Sequence, residues 1–479
     1  MNPAPSASTP SASADLLARL ARIVGGAHLL TDGERLRPHT EELRRRFASE
    51  CLAVALPADA AQVAAVIDAC AGAGVSIVPQ GGNTGAVGGA VARRGQVIVN
   101  LARMNRIVEI DADNYTMEVE AGCILADIQA AAAEHERLFP LSLGAQGSCQ
   151  IGGNLATNAG GINVLRYGNA RDLALGVQVA LADGGVWNGL NRLRKNNSGY
   201  DLKNLFIGAE GTLGIITAAT LKLFPAPRCQ AVALAGLRDA DAALALLNRL
   251  RAASDDRLAA FELMAEIAVQ SAVAHIHAQT DPLAARHRWY ALIVANSANA
   301  ESDLRRQIES CLADALRDDV LQDAVIASNE TQAQQLILLR ERIVEAQKFE
   351  GGSIKHDVSV PVAAVPEFLR RAHAALAQAM PDARAYPYGH MGDGNLHFNI
   401  SQPPRMDTQK FLAQWTPMNR LIHQVAADLN GSFSAEHGIG LAKLEEMKRY
   451  KDPLTLSLYR RLKQTLDPDD VLNPGKVNP

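Results

Sequence analysis

Two histidines and a later acidic segment in the last quarter of the chain have the residue types and spacing of a metal site. His390 and His397 flank a Gly-Asp-Gly turn between two strand-like stretches, so a hairpin can bring their rings together. The segment SAEHGIG adds Glu436 and His437. Two imidazoles, one carboxylate and an open position suit Zn²⁺ or a similar divalent ion in a catalytic role. On spacing alone, a structural pair of histidines is the alternative.

Three glycine-rich segments lie in the first half of the chain: PQGGNTG (79–85), GAQGSCQIGGNLATNAGG (144–161) and IGAEGTLGII (207–216). Glycine lets backbone N–H groups approach a phosphate, and consecutive amides can form an anion-binding nest. One such loop could be a tight turn, but three together favour a backbone-lined cradle for a large anionic ligand. None is a GxGxxG that opens a helix, and no GxxxxGK[ST] occurs, which disfavours Rossmann enzymes and P-loop nucleotide triphosphatases.

Composition narrows the class of protein that can carry such sites. The chain has 479 residues, 48% of them hydrophobic, so it can bury the cores of two or three domains. A formal net charge of −4 without a run of one sign, and only 4% aromatic residues, argue against nucleic-acid binding. The six cysteines form no CxxC pair, which disfavours an iron–sulfur cluster and favours reduced thiols. We therefore expect a cytoplasmic protein.

The elements that must position these residues mix helices and strands without a repeat, which indicates an α+β fold. Helices are predicted over Ala14–Val24 and Asp59–Ala73, and the Ala/Ser/Pro-rich residues 1–15 are predicted to be a disordered tail. The uncharged stretch 138–165 holds too many polar and glycine residues to span a membrane. The segment 224–236, which holds two prolines after the strand-like TAATLKLF, marks a domain boundary. Beyond it we expect a second sheet with helices on one face, which includes IKHDVSV as a strand, and then a helical C-terminal stretch.

The segments PQGGNTG, IGGNLATNAGG and GAEGTLGIIT resemble those of the vanillyl-alcohol-oxidase/PCMH family of FAD enzymes, over roughly residues 46–478. Within that family the chain is most similar to the branch of D-lactate, glycolate and D-2-hydroxyglutarate dehydrogenases. The resemblance implies a PCMH-type FAD-binding domain at 16–226, an α+β substrate (cap) domain with the metal site at 227–420, and a helical segment at 421–479 that completes both sites. The first loop contains neither His nor Tyr, so the FAD should be noncovalent. The FAD-binding residues implied are Pro79, Gly81, Gly82, Asn83, Thr84, Gly85, Gly144, Ser148, Gly152, Gly153, Asn154, Thr157, Gly160, Gly161, Gly211, Gly214 and Ile216.

The same resemblance extends to GHMGDGNLH and AEHGIG. It implies His390, His397 and Glu436 as ligands of a divalent metal, with Zn²⁺ the best choice, and His437 as the general base. The expected reaction is oxidation of a D-2-hydroxy acid, in which the metal lowers the hydroxyl pKa, His437 takes the proton and a hydride passes to flavin N5. Asp393, between two glycines, is predicted to serve the turn.

Substrate choice should depend on cations that bind a carboxylate. Arg340 lies on a predicted helix, and Lys355 lies in the apolar strand IKHDVSV, an unusual setting for a surface lysine. Both fit the D-2-hydroxyglutarate dehydrogenase pattern, in which an Arg and a Lys bind the distal carboxylate. That pattern has threonine where this chain has Val344, so a D-2-hydroxy acid with an apolar side chain is the alternative. Strand alternation adds Asn399, on the same face as His397, and His437 completes the predicted substrate contacts.

Three functional alternatives stay open at this point. A D-lactate or glycolate dehydrogenase shares the fold, a flavin-binding subunit without catalysis would share the glycine loops, and a nicotinamide-dependent Rossmann enzyme lacks its fingerprint here. A dehydrogenase of this type needs an external electron acceptor, such as an electron-transfer flavoprotein, a quinone or another carrier. No nucleic-acid partner and no transmembrane segment are predicted, and a homodimer is left open. His356, within IKHDVSV, is predicted to be structural.

Overall fold

A four-stranded sheet lies near the start of the chain in the computed structural model, which describes residues 10–277 and 279–478. Its strands are β1 (Leu29–Leu30), β2 (Ala53–Ala55), β3 (Ile77–Gln80) and β4 (Val97–Asn100). Their order is β1-β2-β4-β3, and β2 and β3 run parallel to β4. All of β4 is buried, as expected for a continuous apolar run covered on both faces.

The helices beside this sheet are α1 (Pro10–Val24), α2 (Gly33–Thr40) and α3 (Ala60–Gly72). Asp59 caps α3 by accepting a hydrogen bond from the backbone of Gln62. The prediction of a disordered tail to residue 15 is wrong for residues 10–15, which belong to α1, whereas residues 1–9 lie outside the described part. Proline suits a first helical turn and alanine favours helix, so the segment can extend a helix whose Leu16 and Leu20 are already buried.

A five-stranded antiparallel sheet completes the first part of the chain. Its strands are β5 (Ile107–Asp111), β6 (Thr116–Glu120), β8 (Ala174–Ala180), β9 (Val186–Asn188) and β10 (Ile215–Lys222), in the order β5-β6-β10-β8-β9. A small pair, β7 (Arg137–Leu138) with β11 (Phe224–Pro225), lies beside it. The connecting helices are α4 (Leu125–Glu134), α5 (Ile151–Ala156), α6 (Val164–Tyr167) and α7 (Lys203–Phe206). The glycine-rich segments lead into or out of these short elements.

A larger antiparallel sheet forms the second part. Its strands are β12 (Cys229–Leu237), β13 (Leu258–Ala265), β14 (Trp289–Ser297), β15 (Asp323–Ile326), β16 (Ser353–Ile354), β17 (Val358–Ser359), β18 (Arg384–His390) and β19 (Asn395–Ser401). The order is β15-β12-β14-β13-β18-β19-β16, and β17 also pairs with β19. The hairpin predicted to carry the two histidines is β18 and β19.

Helices cover both faces of this larger sheet, so the prediction of helices on one face is wrong. One face packs against α8 (Ala240–Ala253), α10 (Leu304–Arg317) and α12 (Val365–Ala379), and the other against α9 (Glu266–His275) and α11 (Glu330–Ala346). Along β12, Ala233 faces the first cluster and Leu234 the second. The uniformly apolar strands VALAGL and WYALIVA are typical of a sheet buried on two sides.

The predicted strand IKHDVSV is two short strands in the structure, β16 and β17, separated by Lys355, His356 and Asp357. The backbone N–H of His356 donates to the side-chain Oδ1 of Asn399, on the neighbouring strand β19, rather than to a backbone carbonyl of that strand. This side-chain bond replaces a ladder bond and accounts for the break. Strand alternation would place Lys355 and Asp357 on one face and His356 on the other, but all three of these residues line the cavity described below.

The C-terminal stretch is helical and returns to the first part of the chain. It contains α13 (Thr408–Leu412), α14 (Trp415–Asp428), α15 (Leu444–Tyr450) and α16 (Pro453–Leu466). After α16, Leu472 forms a bridge with Ile77 of β3. The fold is α+β, as predicted. Within the described part of the chain, no helix has the length and apolar character needed to cross a membrane.

Candidate active site

The two histidines of the β18–β19 hairpin lie side by side. Tyr388 pairs with His397 across the hairpin, and the ring centroids of His390 and His397 are 5.9 Å apart. Both residues are buried. Burial lowers the pKa of His397 well below its usual value, so its imidazole is neutral, the form that binds a metal.

Glu436 reaches the same point from the loop between α14 and α15. Its carboxylate oxygens lie 3.8 Å from Nε2 of His390 and 3.5 Å from Nε2 of His397. The potential ligand atoms of these three residues all lie within 4.8 Å of one another. The two imidazoles and one carboxylate predicted from the sequence are therefore close together, and this set of three ligands fits a divalent cation.

Glu262, on β13, orients this group and was missed by the sequence analysis. One carboxylate oxygen lies 2.6 Å from Nδ1 of His390, and the other accepts a hydrogen bond of 2.7 Å from Nε of Arg340. Burial alone would raise the pKa of Glu262, but the charges and hydrogen bonds of these two partners lower it to about 2. Because the ionised carboxylate accepts a hydrogen bond from Nδ1–H, Nε2 is the nitrogen of His390 that could bind a metal. Although burial opposes it, the charge of Glu262 raises the pKa of His390 to about 9, so a metal would have to displace a proton from Nε2. A lone carboxylate in the apolar strand LAAFELMA was the available signal.

Asp357 orients the predicted base in a similar way. Its Oδ2 lies 3.0 Å from Nδ1 of His437 and also accepts the backbone N–H of that residue. Lys443 lies 3.4 Å from the same oxygen. Although burial opposes ionisation, His437 and Lys443 lower the pKa of Asp357 well below its usual range. The ionised carboxylate therefore holds the proton of His437 on Nδ1 and leaves Nε2 as an acceptor.

Glu210 ties the His437 loop to the first domain. Its two oxygens accept the backbone N–H groups of Ile439 and Gly440 at 2.6 and 2.8 Å, and the amide of Asn473 donates to its carbonyl at 2.7 Å. The residue is buried, and burial raises its pKa. Glu210 belongs to the third glycine-rich segment, from which the sequence predicted a role for the glycines and none for this acid.

A narrow cavity of about 150 Å³ runs between the glycine-rich segments. At Gly85 and Gly153 a Cβ would meet no atom within 4 Å, so it would project into open space. Oε1 of Gln150 and Oδ1 of Asn154 are buried there without a partner. Open backbone together with unpartnered polar atoms fits a large polar cofactor such as FAD. The residues predicted to bind FAD that line this cavity are Pro79, Gly81, Gly82, Asn83, Thr84, Gly85, Gly152, Gly153, Asn154, Thr157, Gly211, Gly214 and Ile216.

Four other residues of the predicted FAD set lie outside this narrow cavity. Gly144 and Gly161 line the adjoining, larger cavity of about 440 Å³. Gly160 lies beside Glu436, and a Cβ added to this glycine would be 3.5 Å from Oε2. The backbone of Ser148 packs closely against Gly82. The two cavities meet at Val87 and His437, which line both of them. A ligand bound along the glycine-rich segments would therefore extend to His437.

The larger cavity brings together the residues predicted to select the substrate. Arg340, Val344, Lys355 and Asn399 all line it, with the histidine and glutamate group at one side. Lys355 donates to Oε1 of Gln347, which also accepts a hydrogen bond of 2.9 Å from the amide of Asn399. Burial, followed by the charges of Arg44 and Lys348, lowers the pKa of Lys355 to about 7. This is a polar, cationic chamber suited to a carboxylate.

Asp393 and His356 lie where their predicted structural roles require. Oδ1 of Asp393 accepts the backbone N–H of Asn395 in the turn, and burial raises its pKa to about 6. Nδ1 of His356 lies 2.7 Å from the carbonyl oxygen of Phe398. Burial lowers the pKa of His356 to about 4, so the ring is neutral. His356 nevertheless also lines the larger cavity.

Models of known protein families match both parts of the chain. Residues 51–189 match the model of an FAD binding domain, and residues 226–477 match that of the C-terminal domain of FAD linked oxidases. The chain belongs to the FAD-linked oxidase family. The FAD-linked oxidase domain matched at 226–477 contains every proposed metal ligand, whereas the glycine loops at 79–85 and 144–161 fall within the other match.

Curated relatives of this FAD-linked oxidase extend over nearly its whole length. It is 38% identical to D-2-hydroxyglutarate dehydrogenase of Xanthomonas citri pv. viticola, over 96% of each chain. It is 34% identical to the mitochondrial D-2-hydroxyglutarate dehydrogenase of Arabidopsis thaliana, over 95% of this chain and 80% of the relative. Among solved structures, p-cresol methylhydroxylase superposes with a TM-score of 0.78 at 16% identity, over 98% of each chain. The structural likeness shows a shared PCMH-type fold.

Proposed function

We propose that this flavoprotein oxidises a D-2-hydroxy acid, with D-2-hydroxyglutarate, converted to 2-oxoglutarate, as the best candidate. The observation that carries the proposal is the convergence of His390, His397, Glu436 and His437 where the substrate chamber meets the glycine-lined cavity. Relatives 34–38% identical over most of the chain carry the name D-2-hydroxyglutarate dehydrogenase. Electrons would then pass to an external acceptor.

His390, His397 and Glu436 would bind a divalent metal, and Zn²⁺ suits two imidazoles and a carboxylate. Glu262 and Asp357 support the assignment because carboxylates that orient histidines commonly surround metal sites. FAD, bound without a covalent link along the glycine segments, supplies a two-electron acceptor, and the cation supplies positive charge beside the substrate oxygens.

His437 is the group that moves the proton. Asp357 keeps its Nδ1 protonated, so Nε2 is the atom that accepts the hydroxyl proton of the substrate. The side chain is 30% exposed and lines both cavities, so it can reach a substrate in the larger one. Once protonated, His437 would be stabilised by the ionised Asp357.

The cations of the chamber favour a second carboxylate on the substrate. Arg340 and Lys355 line it, and neither would find a partner on D-lactate or glycolate beyond the first carboxylate. Val344 supports the alternative, because it presents an apolar side chain, 48% exposed, to the same chamber. A D-lactate or glycolate dehydrogenase is therefore the second candidate.

Anaerobic reduction of the flavin by a panel of D- and L-2-hydroxy acids tests the proposal. We expect D-2-hydroxyglutarate to bleach the flavin absorbance fastest and the L-enantiomer to leave it unchanged. Dialysis against a chelator should stop the bleaching, and added Zn²⁺ should restore it. A yellow protein that no hydroxy acid bleaches would favour a flavin-binding subunit without catalysis. Bleaching that survives chelation would refute the metal assignment.

A matched pair of histidine variants sharpens this test. His437→Gln should slow flavin reduction by about 10²- to 10⁴-fold, the usual contribution of general base catalysis. His135→Gln removes an exposed histidine at the end of α4 and should leave reduction unchanged. Equal rates for the two variants would contradict the role given to His437.

A further inference from the structure

Arg44 brings a positive charge from the first domain into the substrate chamber. It lies in the turn after α2 and lines the chamber with Arg340 and Lys355, which belong to the second domain. Its side chain is partly buried, and burial lowers the pKa of the guanidinium. Among the residues that the structure describes, no carboxylate lies within 4 Å of it.

The turn that presents Arg44 is fixed on both sides. Oε2 of Glu42 accepts the backbone N–H of Arg46 at 2.8 Å, and its carbonyl accepts that of Arg45 at 2.9 Å. The amide of Asn83, in the first glycine-rich segment, donates to the carbonyl of Glu41 at 2.9 Å. The position of Arg44 is therefore built into the domain that binds the flavin.

Most other cations of the chamber already have partners. Arg340 pairs with Glu262 at 2.7 Å, and Lys443 lies 3.4 Å from Asp357. The guanidinium of Arg46 lies 4.2 Å from the ring centroid of Trp415.

In the part of the chain that the structure describes, neither Arg44 nor Lys355 has a carboxylate within 4 Å. The ammonium of Lys355 donates to the neutral amide oxygen of Gln347. Burial and the charge of Arg44 both act to lower the pKa of Lys355. Two partly desolvated cations that repel each other would gain from an anion bound between them. The chamber therefore offers a bound anion two cations that form no ion pair within 4 Å among the described residues.

We propose that Arg44 is a specificity-determining residue that binds the distal carboxylate of a 2-hydroxy dicarboxylate, together with Lys355 and Arg340. The inference rests on the proposed function and names the substrate class of that site. Val344 offers no hydrogen bond to such a carboxylate, whereas Arg44 offers a bidentate donor. A monocarboxylate would leave Arg44 and Lys355 unpaired, so the residue should distinguish the two substrate classes.

The test compares two substrates in the same variants of the flavin- and metal-loaded enzyme. Arg44→Met should lower kcat/KM for D-2-hydroxyglutarate by roughly 10- to 100-fold, the range of a lost charged hydrogen bond. It should change kcat/KM for D-lactate less than threefold, and Arg44→Lys should recover part of the loss. Arg45→Met, which removes the neighbouring exposed charge outside the chamber, should behave as the unchanged enzyme. Equal losses for both substrates, or none for either, would overturn the proposal.

Binding of glutarate, which cannot be oxidised at C2, separates this inference from the proposed function. Glutarate should raise the unfolding temperature of the unchanged protein, and Arg44→Met should lose most of that rise, while acetate should raise neither. If the unchanged enzyme oxidises no hydroxy acid but this difference persists, the proposed function fails and the anion site stands. If Arg44→Met responds to glutarate as the unchanged protein does, the role of Arg44 is refuted even when turnover is observed.

Discussion

Glu262 lies directly opposite His390 on the neighbouring strand, and its carboxylate is 2.6 Å from Nδ1 of that histidine. The pairing of β13 with β18 therefore fixes the histidine through a strand register. A shift of one residue would turn the carboxylate to the other face of the sheet. The second oxygen of the same carboxylate accepts a hydrogen bond from Arg340, so one buried acid aligns a proposed metal ligand and a proposed substrate cation.

Glu262→Gln should weaken metal binding by about 10- to 100-fold, as is usual when the partner of a ligating histidine is lost. It should also destabilise the fold by roughly 3–5 kcal/mol, because Arg340 would be left buried without a counter-charge. Metal content after dialysis and thermal unfolding measure the two effects. Glu34→Gln, at an exposed glutamate of α2, is the control. Unchanged metal content in Glu262→Gln would contradict the orienting role.

Asp357→Asn should lower kcat by about 10²-fold or more, because Nε2 of His437 would no longer be kept as the acceptor. Flavin content should be unchanged, since Asp357 does not line the glycine-lined cavity. Stopped-flow flavin reduction gives the rate, and the flavin absorbance per protein gives the content. The double variant with His437→Gln should be little slower than either single variant. Additive losses would show that the two residues act separately.

Affinity for a dicarboxylate should fall as the pH rises through about 7, the lowered pKa of Lys355. Below that pH the lysine is charged, with Arg44 and Lys348 as neighbouring cations and Gln347 as its hydrogen-bond acceptor. Between pH 6 and 8 the dissociation constant of glutarate should rise by about tenfold. Lys355→Met should bind glutarate weakly and with a flatter pH profile. A steep profile that persists in Lys355→Met would assign the titration to another group.

The same residue has a predictable effect on stability. Because the folded pKa of Lys355 is about 7 and the unfolded one 10.5, the unfolded chain binds more protons between these values. The contribution of Lys355 to the free energy of unfolding therefore becomes more favourable as the pH rises across that window. Lys355→Met should stabilise the protein more at pH 6 than at pH 9. Thermal unfolding at the two pH values checks the sign, and an equal change at both would contradict it.

Gly82→Ala should reduce flavin binding, because a Cβ at this position would lie 2.0 Å from the carbonyl oxygen of Ser148. The contact is with backbone, so the first two glycine-rich segments would have to separate. Flavin absorbance per protein, before and after acid precipitation, measures both the content and the absence of a covalent link. Gly33→Ala, where a Cβ meets no atom within 4 Å, should retain full flavin. Equal flavin in both variants would argue against close packing as the determinant.

Sequence patterns predicted the residues that are close together in the chain or belong to a compact motif. The β18–β19 hairpin and the positions of His390 and His397 follow from a turn signal and strand alternation. The composition of the glycine-rich segments likewise predicts a backbone-lined binding site. In these cases the structure is determined by residues close together in the chain, so a single sequence is enough to predict it.

The residues that were missed act across long separations. Glu262 reaches His390 through sheet pairing, and Asp357 contacts His437, which lies 80 residues further along the chain in the loop after α14. Arg44 enters the chamber from another domain. The position of each depends on register or on domain packing, which propensity and periodicity do not encode. Glu262 carries the same signal as Lys355, a charged residue within an apolar strand, whereas Arg44 lies in the charged segment EELRRR and carries no such signal.

The hydrogen bonds from Ile439 and Gly440 to Glu210 link one loop to both the FAD cavity and the proposed metal site. Glu210 borders the glycine-lined cavity, and the loop that it holds carries Glu436 and His437. Occupancy of the cavity by FAD would reduce the freedom of that loop and so prepare the site for the cation. Thermodynamic linkage then requires the reverse, that the cation tighten the retention of FAD by the same factor. Binding of FAD and of the proposed metal would thus be cooperative.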